Sequence, residues 1–265
     1  MADIIKLHLH PVSDKHSIKE AVITFFLASK IIKPESFRVL IEKDLKDSFH
    51  LFDEVKQIQV KPGNNQMPEV REIENTGFKF VGYSFGGKAA HIIQGINEEN
   101  RSFYSFHTLD YKDWNSFKTQ SKEHARILSI HQQGCYILAY GLHYIDEFIW
   151  DNSASYNAAT IFNKSDYLPK DAFDSSILDY QINMDKKANE YIYFDRLAIN
   201  VSDKMEQKSI VISHNISFMM DKDPQLLDDL LEEPLLDSKL DFAHQCNKTL
   251  LRDLLTDHVC QLIHI

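Results

Sequence analysis

Glycine and proline are scarce in this chain, 8 and 7 among 265 residues. That excludes a collagenous, linker-rich or disordered protein. Cysteine occurs three times, at Cys135, Cys246 and Cys260. An odd count without a C-x-x-C pair excludes a disulfide framework and a zinc knuckle, and it points to reduced thiols in a cytosolic protein. Long hydrophobic runs are missing too. The longest, Ala21 to Ile32, contains Lys30 and falls short of the ~20 residues that span a bilayer. Met1 to His10 has no cationic start followed by an apolar run, so no signal peptide is expected. Basic residues are outnumbered, 29 to 39, for a net charge of −10. Such a chain repels phosphate backbones at long range, so nucleic acid is not the expected partner. There is no Walker loop, no dinucleotide G-x-G-x-x-G and no zincin motif, and no cofactor is expected.

What is there suffices for a sizeable core: 43% hydrophobic and 11% aromatic residues. Ile18 to Leu27 reads as a strand, rich in β-branched and aromatic residues. Pro34 opens a helix with Phe37, Leu40, Ile41, Leu45 and Phe49 at helical spacing. Strands follow at Glu54 to Lys61, Gly77 to Ser84, Lys88 to Ile96 and Ser102 to Leu109. Pro62 to Asn65 and Asn97 to Asn100 supply turns. Asp113 is the expected N-cap of a helix through Trp114, Phe117, Ile127 and Leu128, ended by Gly134.

The second half repeats the plan loosely. It has a long strand at Tyr136 to Trp150 and a short helical segment at Asn157 to Asn163. Strands follow at Ile177 to Met184, Tyr191 to Val201 and Ser209 to Met219. Pro224 and Pro234 bracket an acidic connector. A final helix spans Leu240 to Leu262, with Phe242, Cys246, Leu250, Leu254 and Val259 on one face. Cys246 and Cys260 are expected to be buried there. Runs of strands with few helices between them imply an α+β class with antiparallel sheet and three main helices. The order resembles two β-α-β4-α halves, 1–133 and 134–265, integrated in one globular unit. That plan is similar to the saddle of TATA-binding-protein-like folds, an analogy of fold alone.

Gly82-Tyr83-Ser84-Phe85-Gly86-Gly87 supports two incompatible readings. As G-x-S-x-G it is the strand-to-helix elbow of an α/β-hydrolase, with Ser84 attacking a carbonyl, His258 taking its proton and Asp110 orienting the imidazole. As a hairpin, its Gly-Gly pair supplies the positive φ of a tight turn. Met1 to Thr76 offers one convincing helix and no H-G-G-type oxyanion loop. Ala90, Ile92, Gln94 and Ile96 follow a period of two. The hairpin is therefore the expected form, and the hydrolase is the alternative.

A resemblance points the same way. Ser17-Ile18-Lys19-Glu20-Ala21-Val22 is similar to the P-I-x-E-A-hydrophobic opening of a sporadically distributed bacterial protein family of unknown function. Gly77-Phe78-Lys79-Phe80 resembles its G-[FY]-[RK]-F strand. Tyr111, Trp114 and Phe117 resemble its Y-x-x-W-x-x-F segment. Gly141-Leu142-His143-Tyr144-Ile145-Asp146 is similar to its G-L-R-Y-I-N strand, with His143 in place of arginine and Asp146 in place of asparagine. The helix from Asp241 resembles the family's ending. The resemblance transfers no catalytic residue. It implies an accessory role, phage defence among the candidates.

Other clusters have modest claims. His8 and His10 lie two apart, near His16, but spacing places no third ligand, so no metal site is expected. Glu20, His143, Asp146 and Glu147 sit on strands equivalent in the two halves and could meet in a polar site. The plainer expectation puts Glu20 and Asp146 on a solvent face. Asp221, Asp223, Asp228, Asp229, Glu232, Glu233, Asp237 and Asp241 interleave with leucine pairs. They form either a docking segment for a basic partner or a solvated helix with one apolar face. Lys186, Lys187, Lys204 and Lys208 are too few for a nucleic-acid patch. Phe103, Tyr104, Phe106, Tyr191, Tyr193 and Phe194, which could stack on bases, fit cross-strand core pairs more simply. The reading is a cytoplasmic α+β protein that binds a protein partner through an open sheet face or the acidic connector.

Overall fold

A computed structural model describes residues 8–61, 69–151, 156–174, 179–188, 193–204, 207–220 and 223–265. The class is α+β, built on one open antiparallel sheet of eleven strands. These are β1 (Leu9–Pro11), β2 (Ile18–Leu27), β3 (Leu51–Lys61), β4 (Glu69–Tyr83), β5 (Ala89–Asn97), β6 (Ser102–Thr108), β7 (Tyr136–Asp151), β8 (Tyr180–Ala188), β9 (Tyr193–Lys204), β10 (Gln207–Met219) and β11 (Gln225–Leu226). The hydrogen-bonded order is β3-β4-β5-β6-β2-β7-β10-β9-β8, with β1 and β11 each pairing β7. The helices are α1 (Trp114–His131), α2 (Ala158–Ile161), α3 (Leu227–Glu232), α4 (Pro234–Leu254) and α5 (Asp257–Leu262). Among the described residues no helix is long and apolar enough to cross a membrane.

The chain divides into two units. One comprises Met1–Ala21, Gly141–Phe218 and Pro234–Ile265; the other comprises Val22–Tyr140 and Met219–Glu233. The first has a mainly aliphatic core: Leu197, Ile199, Val201, Ile210 and Ile212 from the sheet pack with Leu250, Leu251 and Leu254 of α4, and Phe148, Trp150 and Phe162 join them. The second has an aromatic core. Phe37 stacks on Phe78 with ring centroids 4.2 Å apart, and Phe25 meets Phe106 edge-on at 6.0 Å. Offset and edge-on arrangements are what ring quadrupoles favour.

Several expectations need correction. The segment from Pro34 is a 3-10 helix, Pro34–Glu42, entered through Lys33 in the left-handed region (φ 48°). Tight turns such as Leu45 N–H to Leu40 O (2.9 Å) continue the chain to Phe49. Phe37 and Leu40 are buried at the expected spacing, so the pattern located the apolar face but not the winding. The final helix starts earlier than Leu240, at Pro234, and breaks at Leu255, where Leu255 and Phe162 form a β-bridge. Its buried stripe is Leu236, Leu240, Ala243, Asn247, Leu250, Leu251 and Leu254. Phe242 and Cys246 lie off that stripe, Phe242 exposed and Cys246 half-buried. The expected strands from Ile177 and from Tyr191 begin outside the described residues and are found from Tyr180 and Tyr193.

Asp113 caps α1 as its side-chain type requires. Its backbone is extended, and Oδ1 accepts from Ser116 N–H at 2.9 Å. Asn157 does the same for α2, accepting from Ala159 N–H at 2.9 Å. The long strand β7 changes the phase of its burial along its length. Ile137 and Ala139 are buried while Tyr136 and Leu138 are exposed; further on, Leu142, Tyr144, Asp146, Phe148 and Trp150 are the buried set. Tyr140, Gly141 and Leu142 in succession are all buried, which is where the alternation slips by one residue.

Candidate functional site

The Gly82–Gly87 segment is a hairpin. Strands β4 and β5 pair antiparallel through Val81↔Ile92 and Tyr83↔Ala89. Ser84 N–H donates to Lys88 O at 2.8 Å, and Gly87 N–H to Ser84 O at 2.9 Å. Gly87 has φ 73°, the positive value its missing Cβ permits. Gly82 is required for a different reason: a Cβ there would stand 2.3 Å from the Ser48 carbonyl oxygen. The Ser84 hydroxyl donates to Lys88 O at 3.2 Å and belongs to the turn. No helix N-terminus follows it, so the strand-to-helix elbow is absent. Asp110 accepts instead from Lys112 at 2.7 Å, and His258 lies exposed on α5.

The turn presents the most exposed large apolar side chain of the described residues. Phe85 at its tip is 110% exposed relative to a reference residue. Tyr83 on β4 and Leu51 on β3 are also exposed, and Leu51 pairs in register with Val81, two residues before Tyr83. Along the same strand face, Lys79 is in register with Gln94 and Gln94 with Ser105. Further along, Ile96 pairs with Phe103, whose ring lies 6.0 Å from Phe26. The face is thus a polar row between apolar ones. Sequence reasoning missed Phe85, although an aromatic beside a Gly-Gly turn is a readable signal.

The acidic connector is used within its own unit. Leu227, Leu230 and Leu231 of α3 are buried. Asp228 accepts from Ser129, and Glu232 pairs with Arg126, both on α1. Glu233 accepts from Gln225. Burial of the leucines supplies the attraction; exposed ion pairs of this kind add up to about 1 kcal/mol each. The segment is therefore a short helix seated on α1. Asp221 lies outside the described residues.

The group Glu20, His143, Asp146 and Glu147 separates onto two faces. Glu147 pairs with Lys19 at 3.0 Å, and His143 Nε2 meets Ser213 Oγ at 2.7 Å, both half-buried or exposed. Asp146, expected on a solvent face, is 0% exposed. Ser17 Oγ donates to its Oδ1 at 2.7 Å, while Oδ2 has no partner. Burial pushes the Asp146 carboxyl up to about 6, with the Ser17 hydrogen bond and nearby His214 offsetting part of the effect. His214 is itself buried, its Nδ1 3.0 Å from Asn247 Oδ1 and its Nε2 3.1 Å from Asp195 Oδ1. Tyr144 meets His244 Nδ1 at 2.8 Å. These contacts form a polar seam where α4 seats on the sheet. No spacing rule could show it, because its bonded partners lie up to 129 residues apart.

Two half-buried histidines meet beside α1, His124 on the helix and His91 on β5. His124 lines a cavity of about 10 Å³ with His91, Phe49, Phe106 and Phe117. That volume holds about one water. Burial, helped by His91, pushes His124 down to about 4, and burial also lowers His91.

His8 and His10 do share a side, as their spacing requires, and both reach Asp151: His8 Nδ1 at 3.1 Å and His10 Nε2 at 3.5 Å. Both rings meet the same carboxylate. Among the described residues no group of three His, Cys, Asp or Glu side chains is arranged to hold a metal. His16 lies instead in a turn closed by Ser13 N–H to His16 O at 3.2 Å. The side chain of Lys204 lies outside the described residues. Lys208 is buried, 5.0 Å over the Tyr156 ring, and Lys186 lies 4.9 Å over Tyr167. Tyr104 and Phe106 are buried core, Tyr193 meets Phe218 and Phe242, and Tyr191 is outside the described residues. All three cysteines are free thiols. Comparison with known proteins finds no matching family model and no similar curated protein.

Proposed function

We propose that this protein binds a protein partner through the β4–β5 hairpin and the sheet face behind it, with Phe85 as the anchor. The observation that supports this reading is an aromatic side chain fully exposed on a turn closed by three hydrogen bonds. A rigid aromatic loses little conformational entropy on docking, and such residues dominate binding energy at interfaces. Tyr83 and Leu51 extend the apolar surface, and the row through Lys79 and Gln94 offers polar contacts that fix register. The acidic connector is the weaker surface, since Leu227, Leu230 and Leu231 are buried and Asp228 and Glu232 engage α1.

On the same reading the chain consists of two β-α-β4-α-like halves of saddle type, 1–133 and 134–265. The strand order supports it: β2 is followed outward by β6, β5, β4 and β3, and β7 by β10, β9 and β8. The second half has one strand fewer. The resemblance of its motifs to a bacterial family makes it a cytoplasmic accessory component, and three free thiols accord with a reducing compartment.

Affinity capture with wild type and Phe85→Ala tests the reading. A specific partner retained by wild type should be lost or weakened at least about tenfold by Phe85→Ala. Asp228→Asn with Glu232→Gln should leave it bound. Retention by Phe85→Ala together with loss on the acidic double substitution would reject the hairpin and restore the connector.

A further inference from the structure

The second unit contains a cleft remote in chemistry from the hairpin. It has a volume of about 270 Å³ and is lined by Ile32, Lys33, Ser36, Phe37, His131, Gln132 and Gln133. The chain as a whole is acidic, yet none of these seven side chains is a carboxylate. Lys33 makes no ion pair among the described residues. We propose that this cleft binds a small amphipathic organic anion, a carboxylate on an apolar body.

The walls are preorganised. Gln132 Oε1 accepts from Ile32 N–H at 3.2 Å and from Tyr104 O–H at 3.3 Å, tying the two walls together. Ser36 Oγ meets His131 Nε2 at 3.1 Å, a second bridge across the opening. Phe37, fully buried, forms an apolar floor, and its ring lies 4.5 Å from the His131 ring. Ile32, 68% exposed, stands at the rim. Lys33 is held in a left-handed backbone conformation that costs about 1 kcal/mol for a residue with a Cβ. The surrounding structure imposes that conformation on a cation at the mouth of the cleft.

The electrostatic balance is decided by Lys33. The end of α1 at His131 contributes roughly half a negative charge, which disfavours an anion. The start of the 3-10 helix at Pro34 opposes it with a smaller positive one, and the full charge of Lys33 outweighs the difference. The Ser36–His131 pair spends one proton on its own bond and leaves one N–H or O–H to donate to a carboxylate, while Ile32 at the rim takes the apolar body.

Titration of the full chain with benzoate, followed by amide ¹H–¹⁵N spectra, tests this. Benzyl alcohol serves as the neutral probe and inorganic phosphate as the anion without an apolar body. Benzoate should cause saturable shifts confined to residues 31–37 and 130–134. Lys33→Gln, with an otherwise unchanged spectrum, should weaken it about tenfold. The proposal is overturned by no saturable shift with benzoate, by equal affinity for benzyl alcohol or phosphate, or by undiminished affinity in Lys33→Gln.

Discussion

The two units solve the same packing problem with different chemistry. In one, β-branched and leucine side chains from β9 and β10 meet α4, and a polar seam of Asp146, Ser17, His214 and Asn247 crosses the interface. In the other, stacked and edge-on rings fill the core under α1, and two half-buried histidines, His91 and His124, line a small cavity beside it. Asp146 in the first unit and His124 in the second respond to protons in opposite directions. Burial disfavours the charged form in both cases, but the acid is charged when it loses a proton and the imidazole when it gains one.

The largest effect should come from the aromatic core. Phe78→Ala removes a fully buried ring that touches Phe37, Phe80 and Tyr104, and should cost about 3–5 kcal/mol. Denaturant unfolding measures it. A loss below about 1 kcal/mol would mean that the second unit's core is less tightly packed than the rings indicate.

Next come the opposed pH responses. Asp146 has a folded value near 6 against 3.8 unfolded, so its folded state holds the proton more tightly. Its contribution to stability is complete below pH 3.8 and is lost as pH rises to 6. His124 has a folded value near 4 against 6.5 unfolded. Its contribution is complete above pH 6.5 and is lost as pH falls towards 4. Each amounts to something on the order of 3 kcal/mol, at about 1.4 kcal/mol per pH unit. Between pH 4 and 6, hydrogen exchange should therefore show α4 amides losing protection with rising pH while α1 amides gain it. Asp146→Asn should flatten the first slope and raise stability at pH 7; His124→Gln should flatten the second. Parallel slopes in the two helices would dissolve the contrast.

The smallest effect is at the start of α1. Asp113→Ala removes the cap to Ser116 N–H and should cost about 1 kcal/mol, read as a fall in thermal midpoint. An unchanged midpoint would mean that tertiary packing, not the cap, sets where α1 begins.

Much of the local structure was legible beforehand. The cap at Asp113, the strand at Ile18 to Leu27 and the hairpin at Gly86-Gly87 each follow from residue type and spacing within a few positions. The class followed from the run of strands. Other features were not legible. Helical spacing after Pro34 fits an α-helix and a 3-10 helix alike, because Phe37 and Leu40 lie on one face of either. The acidic connector gave the pattern of a free amphipathic segment, and nothing local named Ser129 and Arg126 as its partners. Asp146 reads as a solvent-facing residue if alternation runs unbroken along β7, but the phase slips at Gly141.

By itself the amino-acid order determined most of the longer strands and the helix after Asp113, where several of them start, and that the paired glycines turn the chain back. These depend on backbone preference and on contacts a few residues apart. The tertiary structure alone decided which charged groups are buried, which leucines are covered and which aromatics are left in solvent. Those outcomes depend on desolvation, and desolvation is set by neighbours that only folding brings together.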